Sequence, residues 1–264
     1  MIIGYIQNSP AFGTKEQNLK DIDNLMKGKK ADLMVLPELC ATGYCFTSMG
    51  QVFDQAEDLN GPTAQFLCKK SLETGGAIVA GFVEKEGDCC YNSSMMISGG
   101  KVVDVYRKLH LFDREKLFFS PGNYPLKVNS IKGFRIGMMI CFDWMFPEVA
   151  RILALDGVQI LAHPSNLVLP DGQRAMAIRC LENRVFAVTA NRVGTERIGG
   201  ISVLFTGGSQ IVSPEGNILS AAPPDKETVD ILEVDPLQAD NKMITPRNDV
   251  LGDRRTDLYR HIIS

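Results

Sequence analysis

The chain reads as an α/β protein whose sheet holds parallel neighbours, and three observations lead to that class. Residues 2–37 run from an apolar stretch through an amphipathic helical stretch to a second apolar stretch. Residues 135–162 repeat that order. A β-α-β crossover of this kind joins parallel strands. Third, the 264 residues are 45% hydrophobic and 22% charged, which supplies a large core and leaves too little charge for a disordered chain.

The elements follow in order. Residues 2–7 form a short apolar run, expected as a buried strand. Thr14 and Gln17 have the spacing of a capping box. Leu19, Ile22, Leu25 and Met26 follow at helical spacing until Gly28 ends the pattern. Residues 33–36 are the next strand. Pro62 opens a helix that reaches Gly75 and Gly76. Strands are expected at 77–83, 92–97 and 102–106, and again at 135–140. Pro147 starts a helix carrying Val149, Ile152 and Leu153, which ends near Gly157. A strand at 158–162, a helix at 174–183 and a strand at 185–190 come next. Gly207, Pro214 and Gly216 bracket one more strand, and 229–234 is expected as the last regular one. From Pro236 onward the chain is polar, and reads either as a tail packed on a neighbouring subunit or as a frayed surface helix.

No linker or low-complexity stretch divides residues 1–264, so a single domain is expected. The two β-α-β segments read as halves of one internally repeated unit, although their sequence identity is negligible. The net charge is -3, with no block of like charge, which gives no support to binding nucleic acid or an acidic membrane surface. The start, MIIGYIQNSP, lacks a basic region, a long apolar region and a cleavage site, and no apolar run approaches a membrane span. These features predict a soluble, cytoplasmic protein. Seven cysteines, odd in number and irregularly spaced, fit reduced thiols better than a disulfide framework.

Function is argued from position. In open α/β sheets, ligands bind beyond the carboxyl ends of strands. Glu38, Lys108 and Cys141 each lie just past an expected strand end, and would converge on one rim if those strands ran parallel as neighbours. Cys141 stands between an apolar strand and the helix that begins near Pro147, where a turn presents a side chain outward. The backbone N–H groups after it, starting with Phe142, are candidates for an oxyanion hole. The plainer alternative is a buried structural thiol. A thiol with a reference pKa of about 8.5 is only partly ionised at neutral pH. An ammonium beside it favours the thiolate, whereas a carboxylate opposes the charge but can take the proton. Lys108 and Glu38 offer both. Each also has a plain reading, as a solvated lysine and an exposed strand-end glutamate. Glu115 is a second carboxylate close behind Lys108, otherwise a surface charge. His110 and His163 keep a Cys–His pair open. His261 is the third histidine.

These segments resemble the nitrilase superfamily of carbon–nitrogen hydrolases. LPELCATGY is similar to the family's glutamate motif, YRKLHLFDREKLFFSPG to its lysine motif with the second glutamate, and GMMICFDWMFPE to its cysteine motif. YNSSMMI, AHPSNLV, RAMAIRCLENRVFAVTANRVG and FTGGSQIVSPEGNIL extend the likeness over nearly the whole chain, up to DRRTDLY. The resemblance implies a four-layer α-β-β-α sandwich, homodimers or larger homo-oligomers, and a thioester intermediate. By motif, it makes Glu38 the general base, Lys108 the stabiliser of the tetrahedral intermediate and Cys141 the nucleophile. Glu115 would position substrate and catalytic groups. No cofactor or metal is expected: the chain has no HExxH, CxxC, P-loop or GxGxxG in a β-α context.

Nitrilases of the superfamily commonly place Trp-Glu after the nucleophile, where this chain has Phe142 and Asp143. The departure favours small amides or N-carbamoyl amines as substrates, with small aliphatic nitriles as the alternative. Tyr44, Trp144, Asn166 and Leu167 lie beside catalytic motifs or strand ends and are candidate pocket residues, or else packing. A non-catalytic relative that binds a small molecule or partner would be expected to carry a damaged triad, and all three residues are present here.

Overall fold

The computed structural model describes residues 1–263. In the first half, β1 (Ile2–Gln7) leads through α1 (Lys15–Met26) to β2 (Leu33–Val35). Helices α2 (Met49–Gln55) and α3 (Pro62–Thr74) precede β3 (Ala77–Glu86), β4 (Cys89–Ser98) and β5 (Lys101–Arg107). The second half opens with β6 (Val128–Ile131) and β7 (Phe134–Met138), then α4 (Pro147–Leu155), β8 (Ile160–Ser165), α5 (Gly172–Asn183) and β9 (Phe186–Asn191). A hairpin of β10 (Val193–Ile198) and β11 (Ile201–Thr206) follows, then β12 (Gln210–Val212), β13 (Ile218–Ala221) and β14 (Thr228–Glu233).

Two six-stranded sheets result, ordered β14-β1-β2-β3-β4-β5 and β13-β12-β9-β8-β7-β6. From β14, the first pairs antiparallel, parallel, parallel, antiparallel, antiparallel. From β6, the second repeats that series. The internal repeat expected from two β-α-β segments is therefore present in topology, with diverged side chains. Only the centre of each sheet is parallel.

Period two sorts the apolar side chains. Ile3, Tyr5, Leu33, Val35, Ala77 and Val79 join the core of the second sheet, with Ile136, Met138, Ile160, Phe186 and Val188. Their neighbours Ile6, Met34, Leu36, Ile78 and Ala80 face Leu19, Ile22 and Met26 of α1 and Ala64 and Leu67 of α3. On the far side, Val149 and Leu153 of α4 and Met176 and Cys180 of α5 cover the second sheet. The chain is thus a four-layer α-β-β-α sandwich, with β1 against β9 and β2 against β8 at its centre. Among the described residues, no helix is long and apolar enough to cross a membrane.

Three sequence expectations need correction. Thr14 does not cap α1; its hydroxyl donates back to the Ala11 carbonyl, and Asn18 clamps Ala11 through both its backbone N–H and its carbonyl. β14 is not the last strand, because a small hairpin pairs Met243–Thr245 with Asn248–Asp249, too short to show a period. Of the two readings of the stretch from Pro236, the frayed surface helix is not what forms. Pro236–Asp240 is a 3₁₀ turn, pinned where Asp240 meets Arg135 and accepts from Gln159.

Candidate active site

The three expected residues do meet, but by a different route from neighbouring parallel strands. β2 and β5 belong to the first sheet, where β5 is an antiparallel edge strand, and β7 belongs to the second. Convergence comes from stacking two sheets whose equivalent ends face the same way. Glu38 follows β2 after Leu36 and Pro37, and Gly81 of β3 lets the chain pass. A Cβ at Gly81 would lie 2.5 Å from the Glu38 Cα. Lys108 follows β5, its N–H bonded to the Asn92 carbonyl at 2.9 Å. Strand alternation sends Arg107 the other way, onto Glu84.

The Lys108 ammonium is fully buried and lies 2.7 Å from Glu38 Oε1 and 2.8 Å from Glu115 Oε1. Burial alone would favour the neutral amine, but Glu115, Glu38 and Cys141 outweigh it, and the pKa of Lys108 rises above its ordinary value. Lys108 therefore stays charged. An ammonium has three N–H donors, so two carboxylates leave one for a ligand. Glu115 is held in turn by the Tyr44 hydroxyl at 2.7 Å and the Phe112 N–H at 3.1 Å. Its pKa is raised by burial, against the pull of Lys108. Glu38 Oε1 also accepts from Asn92 Nδ2 at 2.6 Å, whereas buried Glu38 Oε2 has no hydrogen-bond partner. A buried carboxylate oxygen without a partner is costly, so its retention marks it for work.

Cys141 sits at φ 40°, opening the 3₁₀ turn Cys141–Met145 ahead of α4. Leu39 and Asp113, beside Glu38 and Glu115, also have positive φ. Non-glycine residues in this region cost on the order of 1–3 kcal/mol each and gather at functional sites. The Cys141 thiol is raised well above its ordinary pKa by burial and by Glu38, with Lys108 opposing and Glu115 reinforcing. It rests as the neutral thiol, so its proton needs an acceptor.

The turn is held by Asp143, which sequence reasoning gave no role in the site, and by His163, which it considered only as a partner of the thiol. Asp143 accepts from the Ile140 N–H and the Tyr106 hydroxyl, each at 2.8 Å, and its other oxygen lies 2.7 Å from His110 Nδ1. His163 Nε2 lies 2.9 Å from the Cys141 carbonyl, an oxygen that only accepts, so that nitrogen carries the proton. His163 Nδ1 lies 3.1 Å from Thr189 Oγ1. Both histidines are thus engaged away from the sulfur, which removes the Cys–His pairing. Asn92, which sequence reasoning also gave no role in the site, had a signal: asparagine is unfavourable inside a strand.

Burial lowers the pKa of His163 from 6.5 to about 4. The unfolded chain therefore binds the extra proton between those values while the folded chain does not, and stability should fall as pH drops through that window. The shift corresponds to about 3 kcal/mol. Urea midpoints measured from pH 7 to pH 4 should decline more steeply in the native chain than in His163→Gln. Equal slopes would show that His163 protonates in place.

Two recesses adjoin the cluster. One, of about 10 Å³, is lined by Cys141, Phe142, Trp144, Asn166, Leu167 and neighbouring residues, which brings three expected pocket residues together. The Asn166 side-chain oxygen and nitrogen are both buried without partners, and its backbone N–H reaches the Cys141 sulfur. Leu167 is mainly packing, its N–H held at 2.7 Å by Asn191. Tyr44, the fourth expected pocket residue, lines the second recess of about 170 Å³. Its loop is fixed where the Tyr44 and Cys45 N–H groups donate to Glu196, itself paired with buried Arg192.

Comparison with known proteins gives the family and the fold. Residues 2–241 match the family model described as carbon-nitrogen hydrolase. A nitrilase from Pyrococcus abyssi is 43% identical, over 97% of this chain and 98% of its own length. An (R)-stereoselective amidase from Pseudomonas sp. is 36% identical, over 85% of this chain and 80% of its own. Among solved structures, a mutant amidase from Nesterenkonia sp. AN1, showing Michael addition of acrylamide at its active-site cysteine, superposes with a TM-score of 0.81 at 26% identity, over 99% of each chain.

Proposed function

This chain belongs to the carbon–nitrogen hydrolase family of the nitrilase superfamily, and from that premise we propose that it hydrolyses small amides or N-carbamoyl amines through a thioester on Cys141. One observation carries the reading. The unpartnered Glu38 Oε2 belongs to a carboxylate clamped by Lys108 and Asn92, in the same buried cluster as a thiol that keeps its proton at rest.

The chemistry follows from those positions. Glu38 Oε2 takes the thiol proton as the sulfur attacks the carbonyl carbon. The oxyanion that forms takes the remaining Lys108 N–H and the Phe142 N–H, which lies in the first turn of a helix where N–H groups lack intrahelical partners. The C–N bond breaks as Glu38 returns its proton to the leaving nitrogen, so ammonia or an amine departs neutral. Water then adds to the thioester with Glu38 again accepting a proton, and the thiol is regenerated as the acid leaves. Glu115, tied to Tyr44 and the Phe112 N–H, keeps the ammonium in place. The unpartnered Asn166 side chain is the candidate contact for the substrate's polar end.

Glu38→Gln keeps the shape and the acceptor for Lys108 but removes the base. It should lower ammonia release by about 10²- to 10⁴-fold. A steady-state rate near that of the native chain would dismiss Glu38 as the proton acceptor. A second reading, small nitriles, is favoured by the relative from Pyrococcus abyssi called a nitrilase. A matched amide and nitrile with the same substituent separate the two. Faster ammonia release from the amide supports the first reading, and release from the nitrile alone replaces it with the second.

A further inference from the structure

The two recesses that adjoin the cluster are unequal, and they share Phe112 and Val168 as common walls. The recess that contains Cys141 and Asn166, about 10 Å³, has room for little more than one water-sized group. That suits one small end of a primary amide, its oxygen or its NH₂, and leaves no space for the substituent. The larger recess, about 170 Å³, has Tyr44 and Glu115 in its lining, the same pair that steadies Lys108. It therefore borders the catalytic cluster on the side of Glu115.

The walls of the larger recess are apolar: Phe46, Phe112, Phe118, Val168, Ile201 and Val203. The last two lie on β11, in a ribbon that joins neither large sheet. Strand alternation puts Ile201 and Val203 on one face with buried Phe205, and leaves Leu204 69% exposed on the other. Asp113 and Arg114 supply opposite charges, so neither sign of ligand gains from them. Glu115 is committed to Lys108, Tyr44 and the Phe112 N–H. A carboxylate brought here would lose hydration beside another carboxylate.

Resting on the amide-hydrolase reading, we propose that this recess receives the substituent that stays on the carbonyl carbon when ammonia leaves. The part of the substituent that fills the recess is uncharged, apolar and of isobutyl to phenyl size. A dry apolar cavity of about 150 Å³ accommodates benzene, so the space matches. The preferred substrates are then amides with a branched or aromatic side chain. Acetamide fits the reacting end alone, and monoamides of dicarboxylic acids carry a charge the walls reject.

The test compares kcat/KM for acetamide, 3-methylbutanamide, 3-phenylpropanamide and succinamate, and measures by calorimetry the binding of the same amides to Cys141→Ala. The two apolar amides should exceed acetamide and succinamate by about 10- to 100-fold in kcat/KM, with the same order in binding. Val203→Phe, and independently Ile201→Phe, shrink the recess and should lower the ratio of 3-phenylpropanamide to acetamide by about tenfold. Equal rates for all four amides, or a preference for succinamate, would overturn the inference and leave the hydrolase intact. Tight binding of the apolar amides to Cys141→Ala, with no turnover of any amide by the native chain, would keep the recess and dismiss the amidase. Neither turnover nor binding would dismiss both.

Discussion

Cys141→Ala should release ammonia on the order of 10⁴- to 10⁶-fold more slowly than the native chain, while unfolding at nearly the same temperature. The first half follows from the roles in the cluster. Lys108, Glu38 and the Phe142 N–H act on a bond that the sulfur must first attack, and removing the nucleophile of a unit that works together costs nearly the whole chemical acceleration. The second half follows from how the turn is held. The carbonyl of residue 141 still meets His163, and Asp143 still accepts from the Ile140 N–H, because neither bond uses the thiol. Losing one buried sulfur costs about 1 kcal/mol. Ammonia assay and thermal melting check the two halves separately. A rate within tenfold of the native value would mean that another group performs the attack.

Lys108→Ala should combine inactivity with a large loss of stability. Removing the ammonium withdraws an oxyanion donor, worth about 10²- to 10³-fold. It also leaves Glu38 and Glu115 buried and facing each other without their shared cation. Breaking a buried ion pair from one side costs about 3–5 kcal/mol. Glu115 already has a raised pKa in the native chain, and without Lys108 the pair should keep a proton between them. A carboxylate whose folded pKa is raised loses stability as pH climbs through that value, so the deficit should be smaller at acid pH than at neutral pH. Denaturant titrations of the native chain and the variant at two pH values test this. Native-like stability in the variant would show that the two carboxylates are relieved by other means.

Much of the candidate site was legible along the chain, because the residues we propose to react are set at strand ends and their types are unusual there. Glu38 after Pro37, Lys108 after an apolar strand and Cys141 before a helix all stand where a buried polar group needs a reason. The supporting residues were harder to see. Asn92 acts from β4 on Glu38, past the end of β2 and two strands over, His163 through a backbone carbonyl 22 residues away, and Asp143 through Tyr106 on the other sheet. None of those bonds has a spacing that marks it.

Local periodicity and turn chemistry determine the class: two β-α-β units, helix starts at Pro62 and Pro147, and the strand ends that carry the three candidate side chains. These are short-range properties, set by which face of a strand or helix each residue occupies. Folding decides the rest. The stacking of two topologically equivalent sheets, rather than one shared row of strands, brings Glu38 and Lys108 to Cys141. Burial in that shared interior keeps the thiol protonated and His163 neutral, and the carboxylates beside Lys108 keep its ammonium charged against the same burial. The charge of Lys108 depends in part on Glu38, 70 residues away in the chain, a distance that no local pattern encodes.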